Sequence, residues 1–393
     1  MIVAKRVQKK VRPSKRTIAV VTGTRAEFGL LTSVMRAIDV HRSLQLRTIV
    51  AGLHWPMETW RDVRDAGFSI DAKVRMQTIG SVGREADAQA TGKGIAGFSK
   101  VFSDMQPDVV LVLGDRIEAF AAASAASISG FRVAHSHGGD RAEGVADEGM
   151  RHAISKLSHI HFPATATSRK RLIRMGELSE TVFQVGSPSI DLLTSFGLAT
   201  RAYSEDLITS EGSTDGPAPA FIIAQHPIGE SAAKESQWMN QTLNAAWFAM
   251  GEMPADAWCL AVAPNRDPGS EGIRQVLKMN PSQGHLPREQ FVSYLANAKA
   301  IIGNSSAGLI EAAALRTPCV NIGPRQNGRE KPANVIDCGY GEKLVQVAIN
   351  KALKLKLHRM KHPYGDGDTG KKIADLLAAL DLREIPIRKK NAY

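Results

Sequence analysis

The sequence predicts an α/β protein built from two doubly wound domains. Apolar runs of strand length alternate with longer segments of helical periodicity almost throughout the chain, and this order occurs twice. A length of 393 residues also exceeds what one hydrophobic core usually supports. Between the two halves lies a polar stretch, residues 197–219, whose glycine, proline, serine and threonine content predicts a linker.

The first half is predicted to hold a sheet covered by helices. Its apolar runs predict strands near 17–22, 45–51, 108–113, 131–135, 159–163 and 181–185, and the segments between them predict helices near 27–39, 116–129, 148–157 and 167–176. The second half repeats the pattern, with strands near 219–224, 257–263, 299–303 and 318–322 and helices near 232–249, 270–278, 288–297, 306–315 and 341–353.

A last helical segment, residues 370–382, follows a stretch rich in proline and glycine and could pack on either domain. We therefore divide the chain into a basic tail (1–16), a first domain (17–196), a second domain (197–365) and a C-terminal segment (366–393).

Composition and charge exclude several classes of protein. The chain is 43% hydrophobic and 23% charged, the balance of a globular protein, and its longest weakly polar stretch, 119–131, is too short to span a bilayer. With no apolar segment of signal-peptide length before the first strand, we expect a cytoplasmic protein without a membrane anchor. Three widely spaced cysteines, Cys259, Cys319 and Cys338, fit neither a disulfide framework nor a metal motif.

The net charge of +11 comes largely from the N-terminal tail. Residues 1–16 contain seven basic residues and no acidic one, and without them the net charge falls to +4. A short basic tail is more often a solvated extension than a binding element. We therefore expect no nucleic-acid partner.

Parallel sheets bind ligands at the carboxyl ends of their strands, so the loops that follow strands are the candidate sites. The first strand leads into Gly23, Thr24 and Arg25 at the start of a helix, a geometry that suits a phosphate; a surface ion pair is the alternative for Arg25. The strand at 108–113 leads into Asp115 and Arg116, where Asp115 is either a catalytic carboxylate or a helix N-cap.

Residues 134–152 form the densest cluster of titratable groups in the chain. It contains His135, His137, Asp140, Glu143, Asp147, Glu148 and His152, with glycines that permit a tight turn after a buried strand. Such a set suits general acid and base catalysis. A zinc site through His137 and Asp140 is a weaker alternative, because neither an HExxH helix nor a thiolate accompanies them.

The second half offers a nucleotide site. His226 and Asn265 each follow a strand, which suits catalysis or a phosphate contact. Ser305 and Ser306 lie at a predicted helix start that suits a diphosphate, and Glu311 on that helix could accept both ribose hydroxyls; an ordinary serine N-cap is the alternative. Arg325 adds positive charge to the same edge.

Together these stretches resemble the UDP-N-acetylglucosamine 2-epimerase family, and its hydrolysing, sialic-acid-type branch more than the non-hydrolysing one. The segments that carry the resemblance, from about residue 17 to about 380, are VTGTRAEFGLL, LGDRIEAFAAA, HSHGGDRAEGVADEGMRHAISKLSHIHF, VGSPSIDLL, APNRDPGS, GNSSAGLIEA, VNIGPRQNGRE and HPYGDGDTG. The non-hydrolysing branch typically has proline after the first-loop arginine and a lysine further along the helix, whereas here Ala26 follows Arg25 and that helix has no lysine.

The resemblance implies a GT-B-type arrangement of two Rossmann-like domains, with the active site in the interdomain cleft and the C-terminal helix returning to the first domain. It implies a UDP-sugar substrate, no cofactor, no metal and a homo-oligomer, either a dimer or a tetramer. Matched residue by residue, it assigns the nucleotide to Ser305, Ser306 and Glu311, the phosphates to Arg25, Arg116 and Arg325, and catalysis to Asp115, Asp147 and His226.

The implied reaction converts UDP-N-acetylglucosamine to N-acetylmannosamine and UDP through a 2-acetamidoglucal intermediate. His137 and Asp140 depart from the residues that many members carry at these positions, which leaves the division of acid and base roles open. Asp140, His137 and Glu148 are reserve catalytic candidates, and Asn265 is a further substrate-binding candidate. The alternatives are a UDP-2,4-diacetamido-6-deoxy sugar as substrate, a GT-B glycosyltransferase, and a nucleotide-sugar-binding paralogue without turnover.

Overall fold

The structure, a computed structural model, describes residues 15–78, 80, 83–142, 148–191, 193, 218–265, 267–279, 282–283 and 286–393. The predicted linker lies largely outside the described residues, as does the predicted tail up to residue 14. Asp147, a predicted catalytic residue, also lies outside them.

The first domain contains a sheet of six parallel strands. The strands are β1 (Arg16–Thr22), β2 (Leu44–Ala51), β3 (Ala72–Val74), β4 (Val109–Leu113), β5 (Arg132–Ser136) and β6 (Ile160–Phe162), in the order β3-β2-β1-β4-β5-β6. The helices between them are α1 (Arg25–Val40), α2 (Trp60–Asp65), α3 (Arg84–Met105), α4 (Ile117–Ile128), α5 (Glu148–Leu157) and α6 (Ala166–Arg174). The central strands are apolar and buried because helices cover both faces of the sheet.

The second domain repeats this topology. Its strands are β7 (Phe221–Ala224), β8 (Cys259–Val262), β9 (Ser282–Gln283), β10 (Ala300–Gly303), β11 (Cys319–Ile322) and β12 (Val335–Cys338), in the order β12-β11-β10-β7-β8-β9. The helices are α7 (Ala232–Met250), α8 (Ser270–Lys278), α9 (Arg288–Asn297), α10 (Glu311–Leu315) and α11 (Glu342–Ala352). Two doubly wound parallel sheets confirm the predicted fold class.

The last helix, α12 (Thr369–Ala379), packs against α1 of the first domain. Ile373 and Leu377 lie in the same buried cluster as Ile18 and Leu31. The chain beyond α12 stays on this domain, since Arg132 donates hydrogen bonds to the Leu382 and Ile385 carbonyls at 2.7 and 2.8 Å. Within the described ranges, no helix combines the length and apolar character needed to cross a membrane.

Two predicted elements are wrong. Residues 181–185 form no strand: a 3-10 turn covers Ser179–Thr181, and Val182 makes an isolated bridge to His161. The predicted helix 306–315 is instead a 3-10 turn, Ser306–Gly308, followed by the short α10.

Five elements were not predicted: α2, α3, β3, β9 and β12. The helix α3 has 22 residues, but its buried stripe consists of only Ala90, Gly94, Phe98 and Phe102. Two of these four residues are small, so the apolar periodicity is weak in the sequence. The strands β3, β9 and β12 are two to four residues long and lie toward the outer edges of the sheets.

Candidate active site

The loops that follow strands of the two sheets meet between the domains. Thr167, beyond β6, donates a hydrogen bond to Glu330, beyond β11, at 2.8 Å. Arg329 donates to the Arg141 carbonyl beyond β5 at 3.5 Å. The polar residues at the carboxyl ends of both sheets therefore face one cleft, as expected for doubly wound domains.

Asp115, directly after β4, is paired with a buried arginine of α5. One carboxylate oxygen, Oδ2, accepts a hydrogen bond from Nη2 of Arg151, and Nη1 of the same guanidinium donates to the His137 carbonyl at 3.3 Å. Burial, followed by the charges of Arg329 and Arg325, lowers the pKa of Arg151 to about 9, so this side chain is still protonated at neutral pH. The pairing stabilises the ionised form of Asp115. The N-cap of α4 is Arg116, so the N-cap alternative for Asp115 is not realised.

His137 and Asp140 form a buried pair after β5. Nδ1 of His137 lies 2.9 Å from Oδ2 of Asp140, whose other oxygen accepts from the Ser168 hydroxyl at 2.6 Å. Burial alone would raise the pKa of Asp140, but the hydrogen bond and charge of His137 lower it to about 2. Nε2 of His137 lies 3.0 Å from the Ser187 hydroxyl, and its backbone φ is +63°. Both side chains are thus nearly saturated by protein contacts.

Two further groups of the predicted cluster have structural partners. Burial lowers the pKa of His135 to about 3, and its Nε2–H donates to the Gly114 carbonyl at 2.7 Å. Glu148 begins α5, where its Oε1 lies 3.5 Å from both Arg141 and His152.

His226 follows β7, and three hydrogen bonds hold it in place. Asn304 clamps its backbone, accepting from its N–H at 2.7 Å and donating to its carbonyl at 2.8 Å. The backbone N–H of Asn265 donates to Nδ1 at 3.1 Å. Burial, followed by the charge of Arg325, lowers the pKa of His226 to about 3, so the ring is neutral and carries its proton on Nε2. His226 is therefore a hydrogen-bond donor at neutral pH.

The predicted nucleotide residues lie after β10. Ser305 caps the 3-10 turn by accepting from Ala307 N–H at 3.3 Å, which is the serine-cap alternative, and Ser306 begins that turn. Glu311 is 5% exposed and pairs with Nη1 of Arg288 at 3.0 Å. Arg288 also donates to the Ser189 carbonyl of the first domain, so it joins the predicted ribose-binding carboxylate to the other side of the cleft.

The three predicted phosphate-facing arginines occupy different surroundings. Nε of Arg25 lies 2.8 Å from Asp62 of α2, the surface-ion-pair alternative. Nε of Arg116 lies 3.5 Å from the buried Glu118. Arg325 donates to the Asn304 carbonyl at 3.3 Å and lies 3.9 Å from Asp267.

The sequence assigns no role to three charged residues at the cleft: Arg151 of the charge-rich segment 134–152, Glu118 of the helix after Asp115, and Arg288. Arg151 and Arg288 each contact a predicted site residue, and Glu118 lies beneath Arg116. Arg151 lies both in the charge-rich segment 134–152 and on the predicted helix 148–157. This combination is the signal in the sequence that could have pointed to it. No group of three or more histidine, cysteine, aspartate or glutamate side chains in the described part of the chain is arranged to hold a metal ion.

Two doubly wound domains that enclose arginines and carboxylates define the GT-B-type class of nucleotide-sugar enzymes. The chain belongs to one family within that class: the model described as UDP-N-acetylglucosamine 2-epimerase matches residues 36–378. This confirms the family predicted from the sequence.

Known relatives agree with this assignment. The chain is 35% identical over 387 residues to the UDP-N,N'-diacetylbacillosamine 2-epimerase (hydrolyzing) of Legionella pneumophila, covering 96% of this chain and 100% of the relative. It is 30% identical to the UDP-N-acetylglucosamine 2-epimerase of Neisseria meningitidis, covering 90% and 91%.

Among solved structures, S. aureus MnaA with UDP superposes with a TM-score of 0.74 at 18% identity, covering 96% of this chain and 100% of the other. The UDP-GlcNAc 2-epimerase of Methanocaldococcus jannaschii, with UDP-GlcNAc and UDP, gives a TM-score of 0.74 at 20% identity, covering 92% and 99%. These similarities show the shared fold.

Proposed function

We propose that this chain is a hydrolysing 2-epimerase of a UDP-2-acetamido sugar. The observation that carries the proposal is the contact of the Asp115 carboxylate with Arg151, whose guanidinium is in turn affected by the charges of Arg325 and Arg329 of the second domain. Removal of a carbon-bound proton needs a base, and departure of UDP needs nearby positive charge; this cleft offers both together.

In the first step, Asp115 takes the proton from C2 of the sugar while the bond between C1 and the diphosphate oxygen breaks. The electron pair of the C–H bond forms the C1=C2 double bond of the glycal, and UDP leaves with the C1–O pair. Arg116 and Arg325 stabilise the negative charge that develops on the diphosphate. The N–H at Nε2 of His226 donates to the same leaving group, because Nδ1 is already occupied by Asn265.

In the second step, a proton is delivered to C2 from the opposite face and water adds to C1. Asp147, which the family resemblance assigns to catalysis, is the proposed donor, with Glu148 in reserve. His137 and Asp140 shape the loop: their pair fixes the left-handed turn whose carbonyl accepts from Arg151. The overall change consumes one water and yields UDP and the C2-inverted free sugar.

We propose a UDP-2,4-diacetamido-6-deoxy sugar of the N,N'-diacetylbacillosamine type as the preferred substrate. Support comes from the Legionella relative, which is 35% identical over its whole length and is named for that substrate. UDP-N-acetylglucosamine, giving N-acetylmannosamine, is the second candidate, which the 30% identical Neisseria relative favours.

The test is an NMR time course in deuterated water with each of the two UDP-sugars, supplied separately. Free 2-epimeric sugar carrying deuterium at C2, appearing in step with UDP, supports the proposal and identifies the substrate by its rate. A UDP-linked epimer without free UDP would contradict hydrolysis. Asp115→Asn is the matched variant: it should bind UDP yet exchange no C2 proton.

A further inference from the structure

A carboxylate near the cleft is buried without the hydrogen bonds that such a group needs. Glu118, the second residue of α4, is 0% exposed, and neither of its carboxylate oxygens has a hydrogen-bond partner among the described residues. Nε of Arg116 lies 3.5 Å from Oε2 and supplies a neighbouring positive charge. Burying a charged group in this way is unfavourable for folding, so stability does not explain the presence of Glu118.

The loops after β1, β2 and β3 are shaped around this side chain. A Cβ on Gly23 would lie 2.5 Å from Cβ and Cγ of Glu118. A Cβ on Gly52, whose φ is +56°, would lie 2.6 Å from Oε1 of Glu118 and 2.7 Å from Oε1 of Gln77, another buried acceptor without a hydrogen-bond partner. Two glycines thus leave the space that Glu118 occupies.

Arg116, which lies over Glu118, reaches the space between the domains. It is the N-cap of α4, next to Asp115, and its side chain is 31% exposed. Burial raises the pKa of Asp87, at the start of α3. The charge of Arg116 acts to lower this pKa, and the charges of Glu118 and of the second domain's Asp267 act to raise it. Arg116 of the first domain and Asp267 of the second therefore both lie close enough to Asp87 to affect its pKa, which places Arg116 on the side of the first domain that faces the cleft.

Glu118 cannot itself touch a substrate in this arrangement, because it is enclosed by Gly23, Gly52 and Arg116. The Glu118 carboxylate can influence the cleft through its interaction with the Arg116 guanidinium, which lies between it and the cleft. An arginine side chain has several rotatable bonds, and a fixed carboxylate on one side limits the directions in which its remaining N–H groups can point.

We propose that Glu118 is a positioning residue that holds the Arg116 guanidinium toward the departing diphosphate. This proposal rests on the proposed function, in which Arg116 contacts that diphosphate. Glu118 would act on the cleft from beneath it, through Arg116. Its burial lowers the stability of the fold, and in return the charge of Arg116 is held in a fixed orientation.

The test compares Glu118→Gln with the wild-type protein. The substitution keeps the size of the side chain and removes its charge. We expect UDP affinity, measured by calorimetry, and kcat/KM for UDP release each to fall about tenfold. The unfolding midpoint should stay equal or rise, because a neutral amide is less costly to bury than a carboxylate. A lowered midpoint with unchanged UDP affinity would overturn the proposal, since it would make Glu118 merely structural.

A double-mutant cycle identifies the route of the effect. In an Arg116→Ala background, Glu118→Gln should cause no further loss of UDP affinity, because the group it orients is gone. Glu177→Gln is the matched control: it removes another buried carboxylate of the first domain, one that pairs with Lys156 and His161, and its effect should be the same with either residue at position 116. If the loss from Glu118→Gln persists in the Arg116→Ala background, the proposal is wrong. Wild-type protein that binds no UDP would overturn the proposed function itself, and this inference with it.

Discussion

Replacing Arg151 with methionine should shift the acidic limb of the pH profile of catalysis. The guanidinium contacts Asp115 directly. Two opposite charges 4 Å apart at an effective dielectric constant of about 20 attract by about 4 kcal/mol, so the loss of the guanidinium charge disfavours the ionised carboxylate. Asp115 is 19% exposed, so solvent compensates part of the loss. We expect the acidic limb of the profile to move to higher pH, because the ionised carboxylate loses its partner charge.

The assay is kcat/KM for UDP release between pH 4 and 9. Below the new limb Asp115 is protonated and cannot take a proton from C2, so activity at acidic pH should fall most. Lys156→Met is the matched control, since Lys156 lies on the same helix but pairs with Glu177, away from the cleft. Its acidic limb should match that of the wild type. An unshifted limb in Arg151→Met would refute the assignment of Asp115 as the base.

Three further predictions concern the buried residues of the cleft. Gly23→Ala should lower the unfolding free energy by about 1–3 kcal/mol in urea titrations, because its Cβ would meet Glu118 at 2.5 Å; an equally stable variant would contradict the close contact. Burial, with the charge of Glu118 adding to it, raises the pKa of Glu27 from 4.5 to about 8, so the folded protein retains a proton that the unfolded chain loses. Stability should therefore fall as pH rises from about 4.5 to 8, and Glu27→Gln should flatten this slope in thermal unfolding; an unchanged slope would reject the raised pKa. His226→Gln, which keeps an N–H donor, should retain more UDP-release activity than His226→Phe; equal losses would argue against a donor role.

The sequence predicts where the functional loops lie but not the contacts within them. Asp115, His226 and Ser305 could be placed at strand ends because the apolar runs before them are continuous and buried. Fold class followed from the same runs, since parallel strands covered on both faces are apolar throughout.

The charge pairs could not be predicted in this way. Asp115 and Arg151 are 36 residues apart, and Arg288 and Glu311 lie on different helices, so only the packing of those helices brings them together. The tautomer of His226 likewise depends on one backbone N–H from a separate loop, that of Asn265. The helix α3 was missed because small residues make up half of its buried stripe.

The return of α12 to the first domain affects the order in which the protein can fold during synthesis. The core beside α1 includes Ile373, Leu377 and Ile385, so this domain is built from both ends of the chain. Translation must therefore pass through the whole second domain before the first can be completed. A nascent chain that ends before α12 would contain every strand of the second sheet. The hydrophobic core of its first domain would still lack the side chains that α12 contributes. Nascent chains stalled there should depend on chaperones for the first domain more than for the second.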